Sequence, residues 1–121
     1  MEEEFETICQ SLHAASHAKD PGLIRYEYWR SSTPQLYFCL LSFKDYRSFM
    51  IHQTSAHHEA AVPGLGETVD TIRLEWIDPM PGGSDLPQTR IQTLAPDATP
   101  LAQSYSESIP LEIADWWKAI R

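Results

Sequence analysis

The stretch LIRYEYWR at residues 23–30, followed after a short turn by QLYFCLLSF at residues 35–43, decides the fold of this chain. β-Branched and aromatic residues dominate both stretches, and the turn signal SSTP separates them, so the pair predicts a β-hairpin. Side chains in the first stretch alternate between two faces. The second stretch is apolar at nearly every position, which is typical of a central strand covered on both faces.

Helical patterns lie on either side of this hairpin. Apolar residues recur at helical spacing over residues 3–18, and the DPG sequence at residues 20–22 should end that helix and turn the chain. Asp45 can cap a second helix. We expect that helix to bend near residue 54 and to end at the PGLG sequence of residues 63–66.

The remaining sequence predicts one further strand and an extension. Residues 68–77 (TVDTIRLEWI) have strand character, and prolines become frequent after Asp78. We therefore divide the chain into a domain at residues 1–78 and an extension at residues 79–121. The extension is predicted to contain a linker, a possible strand at residues 88–94 and a helix at residues 109–120, which carries Trp116 and Trp117.

Composition excludes several classes of function. Nine Lys and Arg against 17 Asp and Glu give a net charge of −8, which disfavours nucleic acid and anionic membranes as partners. No apolar run is long enough to span a bilayer, and the N-terminal sequence MEEE is unlike a signal peptide. Cys9 and Cys39 lie in apolar patterns and are expected to be buried thiols. The sequence predicts a soluble, cytoplasmic protein.

Three sequence segments resemble those of a known family: DPGLIRY at residues 20–26, FKD at residues 43–45 and HQTSAH at residues 52–57. Through them, residues 3–77 resemble the antibiotic biosynthesis monooxygenase (quinol monooxygenase-like) family of dimeric α/β barrels. The resemblance implies an α+β, ferredoxin-like fold that forms a homodimer with the sheets packed face to face. It also implies a secondary-metabolism oxygenase that uses no cofactor and acts on a phenolic, quinol or polyketide-like aromatic.

The chain departs from the family pattern in three ways. Leu41 and Phe43 occupy positions where the family usually has Glu and Trp, the chain contains no asparagine, and the opening strand is missing. An empty strand position would expose backbone groups, so we expect residues 88–94 to fill it as an antiparallel partner of residues 68–77. The alternative is that the chain starts at an internal Met of a longer gene product.

Candidate site residues follow from the resemblance and from the chemistry of imidazole. His52 is predicted to be the base that deprotonates the substrate, because imidazole titrates near neutral pH, with His57 and Tyr28 in support. The predicted substrate-binding residues are Tyr26, Trp29, Phe38, Phe43, Phe49, Arg25, Arg73 and Trp76. The alternatives are structural histidines, aromatics that form the core and the dimer interface, and arginines paired with Glu27 and Glu75.

No metal site is predicted from the sequence. His52 and His57 are five residues apart with no nearby Cys or Asp to complete a ligand set, and His13 and His17 lack a third ligand. The sequence therefore predicts no metal and no cofactor.

Two functions besides oxygenation remain open at this point. A cyclase or isomerase would need nearly the same groups, namely an acid or base and a shaped pocket. A non-catalytic dimeric module that binds a small aromatic molecule or acts as an interaction subunit would need only the pocket or a surface. The C-terminal helix is expected either to pack on the partner subunit or to cover the mouth of the pocket.

Overall fold

The computed structural model describes residues 2–121, over which it has five helices and one two-stranded antiparallel sheet. The elements in chain order are α1 (Glu2–Lys19), β1 (Leu23–Arg30), β2 (Tyr37–Phe43), α2 (Tyr46–Gln53), α3 (Ala56–Thr68), α4 (Pro100–Ser108) and α5 (Asp115–Ile120). Within the same residues, no helix is both long and apolar enough to cross a bilayer. The helices and the antiparallel hairpin agree with an α+β, ferredoxin-like fold.

The hairpin is confirmed, and its register separates two faces. Tyr28 lies opposite Cys39, and Trp29 lies opposite Phe38. Because residues directly opposite one another share a face, Tyr28 and Cys39 belong to one side of the sheet, whereas Trp29 and Phe38 belong to the other. Helix α1 packs against β1 through the first side, since Cys9 contacts Tyr28. The second side exposes about 60% of both Trp29 and Phe38.

The predicted α2 start and the interruption after it are also confirmed. The Asp45 side chain caps α2 by accepting a hydrogen bond from the backbone N–H of Ser48 at 2.8 Å. Ser55 separates α2 from α3 and caps α3 by accepting a hydrogen bond from the His58 N–H at 3.2 Å. These caps satisfy N–H groups that a helix start leaves without a partner.

A small aromatic core lies where α2 meets the end of β2 and α4. Its buried members are Phe43, Tyr46, Phe49, Met50 and Ala102. Partly buried apolar residues pack around them, namely Leu23, Leu41, Trp76, Leu94, Ala98, Tyr105 and Leu111. Residues from the predicted extension therefore contribute to the same core as the hairpin.

Helix α3 continues through the PGLG sequence, so the predicted end at residues 63–66 was wrong. Pro63 lies inside the helix, and the Val69 N–H donates to the Leu65 carbonyl at 2.9 Å. Packing explains this outcome. Helix α3 lies against α1, and a Cβ atom on Gly64 would come within 2.8 Å of the Ile8 side chain. A close helix contact outweighs the weak helix propensity of proline and glycine.

The predicted strands at residues 68–77 and 88–94 are both absent from the part of the chain that the structure describes, where residues 69–99 form no strand. Residues 88–94 do not pair along residues 68–77. Thr89 contacts Ile77 and Asp78, while Gln92 and Thr93 accept hydrogen bonds from Arg47 on α2. The idea that residues 88–94 fill the empty strand position was therefore wrong for the single chain.

The C-terminal region also differs from the expectation. The predicted helix at residues 109–120 is limited to α5, because Pro110 lies outside it and its carbonyl accepts a hydrogen bond from the Trp76 indole at 2.8 Å. Helix α4 was not predicted, although Thr99 caps it through the Ala102 N–H and Pro100 occupies its first turn. Trp116 remains 66% exposed.

Candidate functional site

A partly open cavity of about 490 Å³ lies between α1 and the end of the hairpin. Its volume is within the usual range for small-molecule sites. Helix α1 supplies one wall through residues spaced three or four apart, and the strands supply the other. The lining residues are Phe5, Glu6, Cys9, Gln10, His13, Tyr28, Trp29, Arg30 and Tyr37. The walls therefore combine aromatic surface with a few polar groups.

A pair of tyrosines connects this cavity to the interior. The hydroxyl groups of Tyr26 and Tyr28 lie 2.6 Å apart, and Tyr26 is buried. Burial raises the pKa of both phenols well above the ordinary value, and the proximity of the two tyrosines raises that of Tyr28 further. Tyr28 therefore keeps its proton at neutral pH, and its hydroxyl can donate a hydrogen bond to an anion in the cavity.

His13 presents a proton acceptor at the same cavity. Its Nε2 lies 2.8 Å from the backbone carbonyl oxygen of Tyr26. A carbonyl oxygen can only accept, so Nε2 carries a proton, and Nδ1 is the nitrogen whose lone pair is available when the ring carries no second proton. The ring of Tyr26 packs edge-on against His13 with centroids 5.3 Å apart, which fixes the orientation of the imidazole. His13 thus has the tautomer of a general base.

An ion pair forms the polar end of the cavity. Arg30 donates two hydrogen bonds to the Glu6 carboxylate at 2.6 and 2.5 Å, and the Tyr37 hydroxyl donates a third at 2.8 Å. These donors lower the pKa of Glu6 from 4.5 to about 2. Glu6 is consequently charged at neutral pH, and the three side chains hold one another in place beside the apolar walls.

A second cluster of titratable groups lies apart from the cavity. Asp20 Oδ2 lies 2.6 Å from His52 Nδ1, and Asp20 Oδ1 lies 2.8 Å from His57 Nε2. The side chains of Asp20 and His52 are both 1% exposed. Burial lowers the pKa of His52, against the opposing effect of Asp20. Ser16 Oγ also lies near His52 Nδ1, at 3.3 Å.

The predicted catalytic residues do not come together at one surface. Tyr28 lines the cavity, whereas His52 and His57 do not. His52 is connected to the cavity only through packing, since its ring lies 5.7 Å from that of Tyr26, whose hydroxyl meets Tyr28. The structure therefore places His52 inside the protein, whereas His13 lines the cavity.

Most of the predicted substrate-binding residues lie elsewhere. Trp29 is among the residues that line the cavity, although its pairing with Phe38 assigns its side chain to the other side of the sheet. Tyr26 lies behind the cavity through its hydrogen bond to Tyr28. Phe43, Phe49 and Trp76 belong to the core, and Phe38 lies on the exposed side of the sheet. Arg73 pairs with Glu75, in agreement with the alternative for that residue, whereas Arg25 pairs with Asp85 at 3.3 Å rather than with Glu27.

Several residues of the cavity and of the second titratable cluster were not identified as site residues at the level of sequence. Glu6, Cys9 and His13 recur at the i, i+3, i+7 spacing that places them on one face of α1, and this spacing was the available signal. Cys9 is buried as expected, but Cys39 is exposed, which corrects the prediction that both thiols are buried. Asp20 was assigned only to the turn. It is the acid that the sequence was judged to lack near His52 and His57.

Comparison with known families agrees with the fold. Residues 1–64, more than half of the 121-residue chain, match the model of the antibiotic biosynthesis monooxygenase family. The chain belongs to this family. No curated protein and no solved structure gives a significant match. Antibiotic biosynthesis monooxygenase family members include monooxygenases and related cyclase and binding proteins, so membership indicates this range of functions and no particular substrate.

Proposed function

We propose that this protein is a cofactor-independent oxygenase that binds a flat phenolic, quinol or polyketide-like aromatic in the cavity between α1 and β1. The observation that carries the proposal is the position of the His13 imidazole and a protonated phenol, Tyr28, on the wall of one aromatic-lined cavity. Base and anion stabiliser are the two groups that substrate activation needs.

The proposed reaction begins with a proton transfer. His13 Nδ1 accepts the proton of the substrate hydroxyl, and the Tyr28 O–H donates a hydrogen bond to the resulting phenolate. Tyr26 can donate its own proton to the Tyr28 oxygen, which leaves the Tyr28 proton for the substrate. A phenolate gives up an electron far more readily than a phenol does. Deprotonation therefore prepares the substrate for oxygen.

The second stage consumes one O2 per substrate. The phenolate transfers one electron to O2, and the resulting superoxide and phenoxyl radical combine to form a carbon–oxygen bond. The His13 imidazolium returns its proton to the peroxide. Loss of water from the hydroperoxide then leaves a carbonyl on the substrate carbon, so one oxygen atom enters the product and the other leaves as water.

The family membership also supports a dimer in this proposal. The side of the sheet opposite α1 carries the exposed cross-strand pair Trp29 and Phe38. Exposed apolar patches of this kind mark protein contacts. We propose that two copies pack these sides face to face, and that the resulting homodimer is the active form.

Oxygen uptake with a panel of hydroquinones and anthrones tests the reaction. The wild type should consume O2 with at least one of them, and His13→Gln should lower kcat/KM by about 10²-fold or more, since general bases contribute 10²–10⁴-fold. His58→Gln is the matched control, because His58 does not line the cavity. No uptake with any compound, or an equal rate in His13→Gln, would contradict the proposal.

Non-catalytic binding of the same aromatic is the second candidate. At the polar end of the cavity, Glu6 already accepts hydrogen bonds from Arg30 and Tyr37. These side chains therefore do not require a reactive group on the ligand. A binding module would show ligand-induced quenching of tryptophan fluorescence without any O2 consumption. The same titration, run in parallel with the oxygen measurement, separates the two functions.

A further inference from the structure

We propose that Asp20, His52 and His57 form a binding site for a divalent transition-metal ion of the zinc class. The ligand atoms would be His52 Nδ1, His57 Nε2 and a carboxylate oxygen of Asp20. These atoms all lie within 4.8 Å of one another. None of the three residues lines the cavity described above, so this inference does not depend on the proposed reaction.

The geometry of the cluster is close to that of a zinc site with three protein ligands. Zinc accepts imidazole nitrogen and carboxylate oxygen at about 2.0–2.2 Å, which places tetrahedral ligands a little more than 3 Å apart. The two nitrogen–oxygen distances in the cluster are 2.6 and 2.8 Å. An ion could therefore be bound among these three atoms after small movements of the side chains.

Two unsatisfied polar atoms within the cluster favour cation binding. Asp20 Oδ1 and His57 Nε2 are both buried and, within residues 2–121, neither has a hydrogen-bond partner. They face one another at 2.8 Å without the alignment that a hydrogen bond requires. Buried polar atoms are almost always paired, so two that meet in this way need an explanation. Binding of a common cation would satisfy both.

The charge balance favours the same conclusion. The Asp20 side chain is 1% exposed, and among the described residues no Lys or Arg lies within ion-pair distance of it. A buried carboxylate is costly without an opposite charge. A divalent ion would supply that charge.

The position of the cluster shows what a bound ion would do. Asp20 directly follows α1, His52 lies in the last turn of α2, and His57 lies in the first turn of α3. One ion would therefore join the end of α1 to the junction between α2 and α3, with 32 residues separating Asp20 from His52. The His57 side chain is 12% exposed, so the cluster lies near the protein surface. Two imidazoles and one carboxylate suit Zn²⁺, Co²⁺, Ni²⁺ and Fe²⁺ better than Mg²⁺ or Ca²⁺.

Titration of the metal-free, full-length protein with Zn²⁺ tests the proposal. Isothermal titration calorimetry should show one ion per chain at micromolar protein concentration, and Zn²⁺ should raise the melting temperature. Co²⁺ in the same site should give visible absorption bands. Asp20→Asn and His57→Gln should each weaken binding about tenfold or more, since even outer-shell changes cost 10–100-fold. Because Asp20→Asn can impair folding, His57→Gln, at a partly exposed position, provides an independent test.

The exposed pair His13 and His17 provides the matched control. Their Nε2 atoms lie 3.2 Å apart on α1, so they could bind zinc weakly without a third ligand. His17→Gln should leave the affinity and the Co²⁺ spectrum unchanged. Loss of binding in His17→Gln, unchanged affinity in a folded His57→Gln, or no stoichiometric binding by the wild type would each overturn the proposal.

Discussion

Substitution of Phe38 by glutamate should dissociate the proposed dimer. Phe38 is 60% exposed and lies opposite Trp29, on the side of the sheet that α1 does not cover. A fully buried Phe removes roughly 200 Å² from water, so covering the exposed part of Phe38 would bury about 120 Å² per chain. At about 25 cal/mol per Å², this contributes about 3 kcal/mol per chain and about 6 kcal/mol per dimer.

A loss of this size is easy to measure. About 6 kcal/mol corresponds to a roughly 10⁴-fold increase in the dimer dissociation constant. Sedimentation equilibrium over a wide concentration range should show a wild-type dimer and a Phe38→Glu monomer, while circular dichroism should show that the variant remains folded. Phe38→Leu, which keeps an apolar side chain, should remain dimeric.

The refuting results are equally specific. Trp116 offers an alternative interface, since it is 66% exposed on α5. If Trp116→Glu yields a monomer while Phe38→Glu remains a dimer, the subunits meet through α5 and not through the sheet. A monomeric wild type would contradict the dimer altogether.

Three further predictions concern the residues that stabilise the structure around the two sites. Phe49→Ala should lower the free energy of unfolding by about 3–5 kcal/mol in denaturant titrations, because it empties the core beside Trp76. Arg30→Gln should raise the pKa of Glu6 from about 2 toward 4.5 in an NMR titration. Because the folded pKa is lowered, this ion pair stabilises the wild type above the unfolded Glu pKa, and its contribution is lost as the pH falls toward about 2. Gly22→Ala should cost about 1–3 kcal/mol in the same denaturant titrations, since Gly22 has φ +79° and its new Cβ would clash with Ser48 Oγ and lie 2.8 Å from Ser48 Cβ.

Each of these three has a control or a contrary outcome. Leu101→Ala changes an apolar residue that is 38% exposed and should cost much less than Phe49→Ala. An unchanged Glu6 pKa in Arg30→Gln would mean that Tyr37 alone holds the carboxylate in its charged form. Gly82 also has a positive φ, but a Cβ added there would meet open space, so Gly82→Ala should cost less than Gly22→Ala. Equal costs would refute the argument from the Ser48 contact.

Local signals were sufficient for the first half of the chain. The strand character of β1, the cap at Asp45 and the interruption of the helix near residue 54 all depend on signals within a few residues, and all three were predicted correctly. The predictions of strands at residues 68–77 and 88–94 failed for the opposite reason. A strand requires a neighbour to pair with, and β-propensity alone does not supply one. Trp76 instead turns toward Phe49 in the core.

The candidate sites depended on contacts that sequence spacing does not show. His13 was considered at the level of sequence only as part of an incomplete metal site with His17, because its contact with the Tyr26 carbonyl depends on the packing of β1 against α1. Asp20 reaches His52 and His57 only because Pro21 and Gly22 turn the chain there and the Gly22 carbonyl accepts from Lys44 at 2.8 Å, which joins the turn to the start of α2. A separation of 32 residues between Asp20 and His52 gives no local pattern to detect.

The most direct test of the account is to locate a bound aromatic ligand by backbone-amide NMR. Titration of an anthrone that supports oxygen uptake into the isotope-labelled protein under anaerobic conditions prevents turnover. We expect the largest shift changes at Cys9, His13 and Tyr28, which line the cavity, and little change at His52 and His57. Shift changes centred on His52 and His57, with Cys9 and His13 unaffected, would contradict the assignment of the cavity as the site of reaction.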